Sequence, residues 1–145
     1  MTILYSPSCA AYSGVQPRSG IGFCTVSGTY TLTSAVDIET ADVIELVKIP
    51  KGATVLDLIL DVPAVESGSS ISWGLGDGDS TSRYIAASTV GRTGAAGIVR
   101  LTVAGSSQTA YTADDTIDMI FGTGAGVATS TSGAIKLTVF YTFDL

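Results

Sequence analysis

Ala53-Thr54-Val55-Leu56-Asp57-Leu58-Ile59-Leu60-Asp61 is the stretch that decides the fold. Read with a period of two, Leu56, Leu58 and Leu60 share one face with Thr54, while Asp57 and Asp61 fall on the other. That pattern is a half-buried strand. It returns in Val99-Arg100-Leu101-Thr102-Val103, in Ile117-Asp118-Met119-Ile120-Phe121 and in Ile135-Lys136-Leu137-Thr138-Val139-Phe140-Tyr141. Nowhere does a 3.6-residue stripe run long enough for a helix.

Ahead of this stretch a first strand is expected from Thr29, where Tyr30, Leu32 and Val36 alternate with Thr31 and Thr33. Val43–Ile49 is the next, ended by Pro50, with Lys51-Gly52 turning into Ala53–Val62. Ile71, Trp73 and Leu75 share one face of a fourth. Further strands are expected at Ser82–Ala87, Gly97–Ala104, Gln108–Ala113, Asp115–Phe121 and Ala134–Phe143, with Gly122 to Gly133 as a long mobile loop. Eight or nine short, mostly antiparallel strands make an all-β antiparallel β-sandwich that is jelly-roll-like.

Residues 1–28 differ. Pro7, Pro17, Gly14, Gly20, Gly22 and Gly28 break any regular run, so the segment reads as an extended N-terminal arm ahead of a sandwich domain over 29–145. Such an arm spans roughly 90 Å at about 3.3 Å per residue. Tyr5, Tyr12, Arg18 and Phe23 are its candidate contacts with a neighbouring subunit, the alternative being a lead-in packed on its own sandwich.

The chain has 145 residues, 46% of them hydrophobic, enough for one sandwich core. Only 14% are charged, against about a quarter in an ordinary soluble protein, so the surface is either covered by something or simply rich in Ser and Thr. Thirteen Asp plus Glu against seven Lys plus Arg leave a net charge of −6, which repels a phosphate backbone and excludes nucleic acid as a partner. The uncharged stretch Met119 to Ile135 is Gly/Ser/Thr-rich rather than apolar, and the first residues lack the order of a signal peptide, so neither membrane insertion nor export is indicated. Cys9 and Cys24 make no disulfide framework; they read as free thiols of a reducing cytoplasm, with pairing left open.

The absence of histidine removes the commonest general base and metal ligand. Asp77/Asp79 and Asp114/Asp115/Asp118 remain as carboxylate candidates. Asp77-Gly78-Asp79 sits in a Gly-rich turn that reads as an Asx turn or as a loop for Ca²⁺, without the closing Glu of an EF-hand. Asp114-Asp115 reads as turn chemistry, with Asp118 on the solvent face of the next strand. Nothing places two carboxyls in one groove, so no enzyme, no metal and no cofactor is expected. Trp73 reads as core beside Ile71 and Leu75, or as the stacking platform of a glycan-binding module next to Asp77 and Asp79. Arg83 is placed to pair with Asp77 or Asp79 and hold the loop.

The segments Ile49-Pro50-Lys51-Gly52-Ala53-Thr54-Val55-Leu56-Asp57-Leu58, Trp73-Gly74-Leu75-Gly76-Asp77 and Ser82-Arg83-Tyr84-Ile85-Ala86-Ala87 resemble small structural proteins of tailed bacteriophages that decorate, or cement, a capsid. The resemblance covers Val43 to Ala87. It implies a jelly-roll-like protein on the outside of a virion, made in the host bacterial cytoplasm. The implied partner is the major capsid protein, together with further copies of the chain as a dimer or trimer. Gly52, Gly76, Asp77, Asp79, Arg83 and Tyr84 carry over as loop-shaping residues, with no catalytic or metal role.

Overall fold

The computed structural model, which describes residues 3–5, 22–33, 38–66, 70–104, 109–123 and 133–143, folds the chain as one long antiparallel ribbon rolled on itself. The rungs of the ribbon are strand pairs. β2 (Gly22–Leu32) pairs with β9 (Gly133–Phe143), β3 (Val43–Ile49) with β8 (Asp115–Thr123), β4 (Ala53–Val62) with β7 (Gly97–Arg100), and β5 (Ser72–Gly76) with β6 (Ile85–Ser88). Rolling brings β9 beside β4 and β8 beside β5, which produces two facing sheets. One has the order β2-β9-β4-β7; the other is β3-β8-β5-β6 with β1 (Ile3–Tyr5) added at the β3 edge. This is a jelly roll.

The core lies between the sheets. Leu58, Leu60, Leu137, Val139 and Tyr141 enter it from the four-stranded sheet, and Ile44, Leu46, Trp73, Leu75, Ile117, Met119 and Phe121 from the other. Each follows from period-two alternation on a strand with one wet face.

Leu56 departs from the alternation. A register shift between Val55 and Asp57 inserts one residue against β9, so Ala53 and Val55 point inward before it and Leu58, Leu60 and Val62 after it. Leu56 is left outside at 42% exposure. The bulge thus splits the leucine face that periodicity predicts.

The sheet also begins earlier than the sequence pattern indicates. Gly22–Gly28, expected in the arm, form the first part of β2, paired with β9 from Phe143 to Leu137. Thr25 and Ser27 are exposed and Val26 packs against the core, an alternation too polar to stand out in sequence. Residues 3–5 of the expected arm form β1, parallel to β3; the rest of it, 1–2 and 6–21, lies outside the described residues, as do Val36 and most of the expected loop, 124–132. The strand expected at Gln108–Ala113 reduces to a bridge between Thr54 and Ala110, with Gln108 outside the described residues.

Leu58→Ala is expected to cost about 2–5 kcal/mol, because it empties a core site. Leu56→Ala is expected to stay within about 0.5 kcal/mol. Urea unfolding of both variants checks the bulge, and equal losses would contradict it.

Candidate functional site

The chain turns sharply after β5. A side chain at Gly76 would overlap the Ser80 carbonyl oxygen, so only glycine lets the Asp77–Ser80 turn fold back this closely. Asp77 is buried, and its Oδ1 accepts the Asp79 and Ser80 backbone N–H groups at 3.1 and 3.0 Å, an Asx turn. Its Oδ2 takes Arg83 Nε at 2.7 Å and the Tyr111 hydroxyl at 3.0 Å. Arg83 also reaches exposed Asp79 at 3.7 Å, and its guanidinium lies 5.8 Å from the centre of the Tyr111 ring.

Because Tyr111 donates to Asp77, its oxygen is left to accept from Tyr84 at 2.5 Å. The result is a buried proton chain from Tyr84 to Tyr111 to Asp77. Burial first, and then the Asp77 charge, pushes Tyr84 up to about 12, the hydrogen bond to Tyr111 and the Arg83 charge pulling it back in part. Burial and the neighbouring Tyr84 and Asp77 raise Tyr111 further, so both phenols stay protonated donors. Tyr111 also exchanges backbone bonds with the turn before β4: Gly52 N–H reaches its carbonyl at 2.8 Å, and its own N–H reaches Ala53 at 2.9 Å. Gly52 takes φ 87°, the left-handed conformation the third position of that turn requires, with Ala53 N–H closing on Pro50 at 3.1 Å. Of the six loop-shaping residues singled out in sequence, Gly52, Asp77, Arg83 and Tyr84 touch Tyr111, while Gly76 and Asp79 belong to the turn that holds Asp77. This tyrosine was missed, since its place in an expected strand gave no sign that its hydroxyl is the hub.

With every oxygen lone pair of Asp77 directed at a protein donor, the loop is a structural lock. Asp114 Oδ1 accepts the Lys51 N–H at 2.8 Å and Asp115 Oδ1 the Thr116 N–H at 2.8 Å, both turn chemistry. Trp73 is 1% exposed and donates its indole N–H to the Val90 carbonyl at 2.8 Å, so it offers no face to a sugar. A groove of about 250 Å³ over Gly74, between Ser72, Ser82, Ala86 and Ile120, has no charged residue in its lining.

Asp118 is not on a solvent face. It is 7% exposed, its Oδ1 has no hydrogen-bond partner, and it stands opposite Glu45 on β3 and Gly76 on β5. Its partner Gly76 is the residue over which the chain returns closely at Ser80. Burial, with the charges of Glu45, Asp115 and Asp77, pushes it up to about 7 against a partial offset from a Thr116 hydrogen bond.

The remaining candidate is a surface. Phe23, Leu56 and Ile98, at 67%, 42% and 68% exposure, are the large exposed hydrophobics among the described residues, and all three sit on the four-stranded sheet. Phe23 stacks on Phe140 with ring centres 5.8 Å apart. Threonines and serines fill most of the positions between: Thr25, Ser27 and Thr31 on β2, Thr138 and Thr142 on β9. Asp57 pairs with Arg100, and Asp61 stands opposite Lys136. Of the predicted arm contacts, Phe23 belongs to this face, and Tyr5 lies on β1 opposite Glu45. Tyr12 and Arg18 lie outside the described residues, with Cys9. Cys24 is a half-buried free thiol on β2.

No protein-family model and no curated protein matches this chain. Solved structures do. A chain of the capsid of Ralstonia phage GP4 superposes with a TM-score of 0.78 at 22% identity, covering 99% of both chains. A chain of the cyanophage Pam1 capsid asymmetric unit gives 0.73 at 25% identity, covering 93% of this chain and 96% of that one. The fold is shared with chains of phage capsids. A chain of the acid-stable capsid of Helicobacter pylori bacteriophage KHP30 follows at 0.56 and 14%, over 83% and 87%.

The Asp118 carboxyl yields a pH prediction. Its folded value lies above its unfolded one, so between about pH 4 and pH 7 the folded state holds a proton that the unfolded state has released, and stability falls as pH rises. Asp118→Asn is expected to flatten that fall and to gain on the order of 2 kcal/mol near pH 8. Urea midpoints across pH check this, and an unchanged slope would contradict it.

Proposed function

We propose that this chain is a structural protein of a phage virion that binds the outside of the capsid and stabilises it by bridging major capsid subunits. The observation that carries the reading is the near full-length match to capsid chains, at 25% identity and a TM-score of 0.73 for Pam1. A jelly roll whose polar loop is locked by internal bonds suits a rigid building block. The net charge of −6 favours the outer surface over the lumen, where packaged DNA would repel it. The free Cys24 thiol fits synthesis in a host bacterial cytoplasm.

Modest contacts are sufficient on a lattice, since repetition raises avidity. Binding the assembled shell and not its free subunits pulls the shell toward its mature form by linkage. Within this reading the chain forms a closed homo-oligomer, dimer or trimer, and the segment ahead of β2 reaches the neighbouring capsid subunit.

The purified chain is expected to cosediment with expanded shells that lack it and to raise the temperature at which they break open. Failure to cosediment would contradict the proposal. Removing residues 1–21, which stops short of β2, is expected to weaken attachment and leave the β2–β9 sandwich folded; undiminished binding by the truncated chain would remove the arm from the account.

A further inference from the structure

The outer face of the four-stranded sheet has a charge layout that fits a second copy of itself. Among the described residues it carries two positive groups, Lys136 on β9 and Arg100 on β7, and two negative ones, Asp57 and Asp61 on β4. The described part of the face is neutral, so its own charges bring two copies together without net repulsion. Asp57 and Arg100 neutralise each other within the chain. Lys136 and Asp61 are exposed cross-strand neighbours, and neither makes an ion pair among the described residues.

Because β9 and β4 are adjacent, and Lys136 is level with Asp61, a two-fold axis lying parallel to the strands between β9 and β4 exchanges the two strands and preserves each level. Stacked in that way, Lys136 of each copy lies over Asp61 of the other. The same operation sets Ile98 at the β7 edge over Thr29 at the β2 edge, and Phe140 over the Leu56–Asp57 bulge. The apolar groups thereby leave water together.

We propose that this face pairs two copies of the chain about that two-fold axis, with reciprocal Lys136–Asp61 ion pairs across the interface. Strands of this length, at about 4.8 Å spacing and about 3.3 Å per residue, give a flat face of roughly 500 Å². That is close to the roughly 600 Å² per partner at the low end of specific interfaces, so the dimer is a modest one, with Kd of about 1–100 µM. The pairing narrows the oligomer of the shell reading to a dimer and extends that reading, yet the two fail separately.

Sedimentation velocity of the full chain from about 1 µM to about 1 mM spans that range. A monomer–dimer equilibrium is expected. Lys136→Glu and Asp61→Lys are each expected to weaken it about tenfold or more, and the double swap to recover it, because the pair is restored with reversed sign. Far-UV circular dichroism confirms that these exposed substitutions keep the fold. A monomer at every concentration, a trimer, a dimer indifferent to either single swap, or a double swap that fails to recover would each overturn the proposal. Shell cosedimentation of the same variants reads the shell proposal on its own: a dimer that ignores shells rejects that reading alone, and a shell-bound trimer rejects this one alone.

Discussion

Strand β9 is hydrogen-bonded along both edges, to β2 over its whole length and to β4 from Phe143 to Lys136, and this double pairing fixes the rest of the molecule. Once β9 is held on both sides its residues cannot exchange faces without breaking two ladders. Ile135, Leu137, Val139 and Tyr141 are therefore committed to the core, and Lys136, Thr138, Phe140 and Thr142 to the outside. The neighbours inherit that parity. On β4 it is kept only by the bulge at Leu56, which shifts the phase so that both ends of the strand bury aliphatic side chains.

The polar interior is settled differently for two carboxylates. Asp77 has donors at both oxygens and links β5, β6 and the Tyr111 segment through the phenol chain, which makes it costly to remove. Asp118, on the neighbouring strand, has one oxygen without a partner and acidic groups around it. Of these two buried acids one has its oxygens satisfied and the other does not, and the raised Asp118 value makes stability depend on pH near neutrality.

Much of this was legible in the sequence. The strands Val43–Ile49 and Ala53–Val62 have the bounds that alternation, Pro50 and Lys51-Gly52 imply, and Trp73 is core for the reason given by its spacing from Ile71 and Leu75. Arg83 pairs with both aspartates that its position suggested. What escaped depends on non-local facts. A bulge has no local signature, so Leu56 was placed inside. The beginning of β2 is too rich in Thr, Ser and Gly to read as a strand until β9 pairs with it. Asp118 follows an outward parity and is buried all the same, beside Gly76 of a strand distant in sequence. Tyr111 could be identified as a hub only once Asp77 and Tyr84 were brought beside it.

The two sheets differ in what they can contribute to function. The β3-β8-β5-β6 sheet carries the locked loop, and the β2-β9-β4-β7 sheet presents a neutral, Thr-rich face with the exposed Phe23, Leu56 and Ile98. On the proposed function, such an object would act by occupying many equivalent places at once. The most direct test is the copy number of the chain in density-purified virions, by quantitative mass spectrometry against the major capsid protein. On the order of hundreds of copies per particle are expected, in fixed ratio to the capsid subunit, as repetition over a lattice demands; a handful per particle, or none, would contradict the shell role.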